Sequence, residues 1–128
     1  MNEGFVVVEG VTDKRLIEEK WKSKPRNVKI VEAGGRSSAI SLARSILITR
    51  NVPIALVVDA DTDNERKIEE QEQFIYEITK TSPLDSMLRV FMPKPTLEQE
   101  SPERIKQLIE QINQFMQTKY VNKAASGV

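Results

Sequence analysis

Two short runs of almost unbroken apolar residues constrain this chain more than any other feature: Phe5-Val6-Val7-Val8 and Pro53-Ile54-Ala55-Leu56-Val57-Val58. Successive side chains of a strand point to opposite sides, so a strand that is apolar throughout has to be covered on both faces. That requirement predicts a sheet held between two layers of helices, and the intervening segments supply them. Thr12 is a candidate cap for a helix over about residues 13–23, with Leu16, Ile17 and Trp21 as its apolar stripe and Pro25 as its stop. Val28, Ile30 and Val31 mark a second strand, followed by Glu32-Ala33-Gly34-Gly35 and a serine-capped helix carrying Ile40, Leu42, Ala43, Ile46 and Leu47. After the run at Ile54, Ile68, Ile75 and Ile78 predict one side of a helix over about residues 64–80, broken at Ser82-Pro83. Met87 to Met92 reads as a fourth strand and Pro93-Lys94-Pro95 as a stiff exit. Ser101-Pro102 opens a last helix striped with Ile105, Leu108, Ile109, Ile112, Phe115 and Met116.

Strands that alternate with helices at these spacings imply βαβ crossovers. The expected architecture is α/β and Rossmann-like, a mostly parallel four-stranded sheet flanked by helices. At 128 residues the chain suits one domain. We place that domain at residues 1–118 and expect a flexible tail over residues 119–128, where the apolar periodicity stops. The N-terminus carries no secretory pattern, no run is long enough to span a bilayer, and the expected location is cytoplasmic.

The absence of any Cys or His removes thiol and imidazole catalysis and nearly every zinc site. An enzyme with this composition would depend on carboxylates, Lys, Tyr or water acidified by a metal that accepts oxygen ligands, with Mg²⁺ and Mn²⁺ foremost. Nineteen basic and nineteen acidic residues cancel, so the chain lacks the general positive field of a strong nonspecific nucleic-acid binder. Any nucleic-acid contact has to be local or assisted by a metal or a protein partner.

Ligands of open parallel sheets gather beyond the carboxyl ends of the strands, which is where both acidic motifs fall. Glu9 ends the first run, and Asp59 and Asp61 end the third strand. On an extended backbone the two-residue spacing would aim both aspartates to one side. Three carboxylates drawn together call for a cation or for raised pKa values. Taken singly, Glu-Gly after a strand is common, and Asp-x-Asp can simply lead into a helix cap at Asp63 or Asn64.

Val6-Val7-Val8-Glu9-Gly10-Val11-Thr12-Asp13, followed by Val57-Val58-Asp59-Ala60-Asp61, resembles the two signatures of TOPRIM domains. That superfamily includes primases, topoisomerases, ribonuclease M5-like maturases, overcoming-lysogenization-defect (OLD) nucleases and small stand-alone proteins. The likeness extends from about Phe5 to Glu98, and its Glu-Gly-x-Thr-Asp form is most similar to the OLD-type nucleases and the stand-alone members. The resemblance implies that Glu9 is a metal ligand or general acid/base, and that Asp59 and Asp61 form the metal-binding pair for Mg²⁺ or Mn²⁺. It also implies Mg²⁺-dependent phosphodiester chemistry on DNA or RNA, foremost hydrolysis.

Around this core, Asp13, Asp63 and Glu98 are candidates to orient the metal ligands or hold a second ion. Asp13 can equally serve as a first-turn helix-dipole acid and Glu98 as a solvated loop acid. Lys14, Gly34, Gly35, Arg36 and Lys94 are candidates to receive phosphate, although the glycines can serve simply as a turn and the cations as solvated surface. Trp21 and the last helix's stripe read as core.

Topoisomerase-type chemistry lacks its domains and a tyrosine suitably placed, since Tyr76 falls in a predicted helix and Tyr120 in the tail. No P-loop is present, so OLD-type activity would need a partner or no ATP. The alternative reading is a noncatalytic TOPRIM module that binds nucleic acid, nucleotide, a protein partner or a second copy. A receiver-like phosphoacceptor fits less well, because the first strand ends in one Glu rather than an acidic pair.

Overall fold

The computed structural model describes residues 3–80 and 85–126, with side chains for residues 3–80 and 86–119. The order along the chain is β1 (Gly4–Val8), α1 (Val11–Lys20), β2 (Val28–Glu32), α2 (Arg36–Arg50), β3 (Ile54–Val57), α3 (Glu65–Thr79), a 3₁₀ turn (Asp85–Met87), β4 (Leu88–Phe91) and α4 (Pro102–Ser126). All four strands are parallel, in the order β2-β1-β3-β4. The chain is thus α/β and Rossmann-like. Among the described residues no helix is long and apolar enough to cross a membrane.

The period-two alternation of the strands divides the interior into two cores. Val6 and Val8 of β1, Val28 and Ile30 of β2, Ala55 and Val57 of β3, and Phe91 of β4 join Ile17, Trp21 and the α4 stripe on one side. Phe5, Val7, Ile54, Leu56, Leu88 and Val90 join Ala39, Ala43, Leu47 and Ile75 on the other. Helices α1 and α4 therefore cover one face and α2 and α3 the other. Each Val, Leu, Ile, Phe or Met side chain buried in this way contributes roughly 1.5–3 kcal/mol relative to exposure, and each Ala less.

The helix boundaries depart from the pattern-based expectation where backbone chemistry outweighs periodicity. Gly10, not Thr12, caps α1, and the Asp13 carboxylate reaches back to accept from the Gly10 N–H at 3.3 Å. The helix ends at Lys20, well before Pro25, because Trp21 turns out of helical geometry while its N–H still bonds the Ile17 carbonyl at 2.8 Å. Gly35 at φ 153° caps α2, which leaves Ser37 and Ser38 inside the first turn. Asn64 caps α3 through its Oδ1, which accepts from the Lys67 N–H at 3.1 Å, but Ile78 is exposed rather than part of the core. Ser82-Pro83 lies outside the described residues.

Ser101 and Pro102 open α4 as expected, with Ser101 Oγ accepting from the Arg104 N–H at 3.2 Å. Helix α4 runs on past Lys119 to Ser126. Loss of an apolar stripe does not by itself end a helix, and Ala124 and Ala125 favour helical backbone.

Candidate functional site

The chain leaves β1 toward β2 on one side and meets β3 on the other, so the sheet order reverses between β1 and β3. Open α/β sheets have their ligand crevice at such a switch point, beyond the carboxyl ends of the strands. Register pairs Val8 with Val57, which brings the residues just after them, Glu9 and Val58-Asp59, side by side. Glu9 Oε2 accepts from the Asp59 backbone N–H at 2.7 Å, and the Glu9 carbonyl accepts from the Gly34 N–H at 2.8 Å. One residue thereby ties the ends of β1, β2 and β3.

The loop after β3 is fixed from the other side by the segment after β4. Pro93 and Pro95 carbonyls accept from the Ala60 and Asp61 N–H groups at 3.0 and 2.7 Å, and Asp59 Oδ1 accepts from the Leu97 N–H at 2.8 Å. Lys94-Pro95 is a cis peptide. Beneath the loop, Arg36 donates to the Asp59 carbonyl at 3.2 Å and to Gln71 Oε1 at 2.5 Å, and Gln71 Nε2 donates to the Ala60 carbonyl at 3.1 Å.

Asp61 departs from the extended backbone on which the expected Asp59–Asp61 alignment rests. Its φ is +58°, a left-handed conformation that Asp tolerates better than most residues, and its side chain is exposed. Among the described residues, no three Asp or Glu side chains stand as a group already formed for a metal ion. The carboxylates are nevertheless close enough to raise one another. Glu9 is shifted upward by burial and by the charges of Asp59 and Asp61, against the Asp59 N–H and Arg36. Asp59 is shifted upward by burial, Asp61 and Glu98, against the Leu97 N–H and Arg36. Asp13 is pushed up to about 6, by burial first and then by Asp59, with Glu9 and Glu98 adding to the effect and the Gly10 N–H opposing it.

Five of the candidate acids, Glu9, Asp13, Asp59, Asp61 and Glu98, therefore share one electrostatic neighbourhood. Asp63 is exposed in the loop just before the α3 cap. Of the candidate phosphate contacts, Gly34 donates its N–H to the Glu9 carbonyl and Lys94 pairs with Glu65. Gly35 caps α2, and Lys14 sits half-buried in the first turns of α1. Arg36 is at the site, holding the Asp59 main chain. Gln71 and the Leu97 amide had no signal in the sequence, since a glutamine on a polar helix face and a leucine in a loop resemble many others. No protein-family model, curated protein or solved structure matches this chain.

Proposed function

We propose that this edge is a TOPRIM-type site for Mg²⁺- or Mn²⁺-dependent phosphodiester chemistry on nucleic acid, in the form of nuclease-type hydrolysis. The observation that carries the reading is the bond from the Asp59 N–H to the Glu9 carboxylate, which unites the two acidic motifs at the switch point of the sheet. The donor set suits a hard divalent cation, because every candidate ligand is a carboxylate oxygen. Burial and mutual repulsion also raise Glu9 and Asp59, a crowding that a cation would relieve. Glu9, Asp59 and Asp61 would hold the ion, with Asp13 and Glu98 nearby. When bound, it would supply Lewis-acid polarisation of a phosphoryl oxygen and acidify water.

The chain's own contribution is positioning and proton handling. Arg36 and Gln71 fix the loop main chain from below, and the Pro93 and Pro95 carbonyls fix it from the side. Glu9, shifted upward by burial first and by its acidic neighbours, is suited to take up and release a proton. Incubation of purified protein with single- and double-stranded DNA and RNA, in Mg²⁺, Mn²⁺ or EDTA, tests the reading. Metal-dependent cleavage lost in Asp59→Asn supports it. No cleavage of any substrate, or cleavage indifferent to EDTA, leaves the noncatalytic binding module in its place.

A further inference from the structure

A cavity of about 410 Å³ adjoins the acidic loop, lined by Arg36, Lys67, Glu70, Gln71 and Phe74. Arg36 and Gln71 are the two side chains that hold the Asp59 and Ala60 carbonyls, so the cavity and the loop share a wall. Lys67, Glu70, Gln71 and Phe74 recur at three- and four-residue intervals, which puts them on one stripe of α3, away from the buried Ile68 and Ile75.

Phe74 is the most exposed apolar side chain of α3, at 61%, on a helix that also exposes Tyr76 and Ile78 among its Glu, Gln and Lys residues. An exposed aromatic ring in a groove that also holds cations is the combination that single-stranded nucleic acids meet: bases stack on the ring, and the phosphates follow the positive charge. Glu70, the acid in the lining, pairs with the exposed Arg66 at 3.4 Å, and Arg36 and Lys67 are the two cations of the lining. A duplex keeps its base faces inside its own stack and cannot use the ring without unstacking.

Resting on the reading that the acidic edge works on nucleic acid, we infer that this groove receives an unstacked base of a single strand on Phe74. Lys67 and Arg36 then lead the adjoining phosphates toward Asp59. The site thus prefers single-stranded or frayed substrate, and Phe74 sets that preference.

Fluorescence anisotropy in EDTA, which isolates binding from cleavage, provides the test. The probes are labelled single-stranded DNA and RNA oligonucleotides, a hairpin duplex of the same sequence, and a strand carrying a run of abasic sites. Wild type should bind the single strands in preference to the duplex. Phe74→Ala should weaken single-strand binding about 10-fold or more, given what one stacked base contributes. It should leave the duplex and abasic probes unchanged, and Phe74→Tyr should restore the wild-type value. Lys67→Ala should weaken binding to all probes and lower the salt dependence by about one counterion.

An equal loss on every probe, no loss on any, or no single-strand binding by wild type overturns the inference. So does Phe74-dependent self-association without oligonucleotide binding, which would make the patch a contact between copies of the chain. Failure here is separable from failure of the hydrolytic reading. Phe74-dependent binding without metal-dependent cleavage sinks only the latter, and cleavage with unchanged affinity in Phe74→Ala sinks only the former.

Discussion

Glu9 and Asp59 stand 50 positions apart in sequence, yet the Glu9 carboxylate accepts the Asp59 amide hydrogen at 2.7 Å. The bond makes Glu9 both a structural tie and a candidate catalytic group, so substitutions have to be chosen to separate the two. Gln retains an oxygen acceptor for the amide while losing the charge and the titratable proton. Glu9→Gln should therefore keep its thermal stability and its affinity for nucleic acid, and lose about 10²-fold in single-turnover cleavage. Asp59→Asn should lose metal affinity and turnover together, because a neutral amide is a weaker ligand for Mg²⁺. Undiminished cleavage in both variants would remove this cluster from the chemistry.

Crowded carboxylates also predict how the folded protein responds to cations. An ion that binds the native acidic edge and not the unfolded chain stabilises the fold by RT ln(1 + [L]/Kd), about 2.7 kcal/mol at a hundredfold excess over Kd. Mg²⁺ and Mn²⁺ should raise the melting temperature of wild type. The double variant Asp59→Asn, Asp61→Asn should show no such rise, and calorimetric melts at graded metal concentration would detect it. A rise of equal size in the double variant places the ion elsewhere.

Helix α3 gives a contrast between neighbouring positions that tests the packing. Ile75 is fully buried in the core against α2 and the sheet, whereas Ile78 is 42% exposed. Ile75→Ala should cost about 2–5 kcal/mol through lost burial and the cavity left behind. Ile78→Ala should fall within about 0.5 kcal/mol of wild type, as surface substitutions do. Chemical denaturation of both variants checks the pair, and comparable losses would mean that the outer face of α3 is covered in solution.

The contrast also indicates what was legible in the sequence. The unbroken apolar runs at Phe5 and Ile54 were readable as buried strands because no other arrangement covers alternating side chains that are all apolar. Their being neighbours, with Glu9 beside Asp59, followed from placing both acids at one sheet edge. Ile78 was misread because it stands three residues after Ile75, whereas the buried face of α3 goes on through Thr79, four residues after Ile75, which leaves Ile78 turned outward. The helix caps at Gly10 and Gly35 lay beyond reach for a related reason, since Thr12 and the serines are better caps by side-chain chemistry and only backbone geometry decides against them. The left-handed turn at Asp61 depends on the Pro95 carbonyl, which is contributed by a segment more than thirty residues downstream.

Asp13 carries the prediction with a pH dependence. Burial and the charges of Asp59, Glu9 and Glu98 push it up to about 6, from an ordinary value of 3.8. Because the native state binds this proton more tightly than the unfolded chain, ionisation destabilises the fold. The penalty is absent below the ordinary value, grows as pH rises toward 6, and is complete above it. A shift of this size corresponds to about 3 kcal/mol if fully expressed, and solvent screening of a half-buried group reduces it to on the order of 1 kcal/mol. Asp13→Asn keeps an oxygen acceptor for the Gly10 N–H and cannot ionise. In EDTA the variant should therefore melt close to wild type near pH 4 and a few degrees above it at pH 7.5, with the gap opening between those values. Saturating Mg²⁺ should narrow the gap at pH 7.5, since a cation at the acidic edge favours the ionised form of its neighbours. An advantage that is largest at acid pH, or absent throughout, would show that Asp13 does not feel the charges assigned to its surroundings.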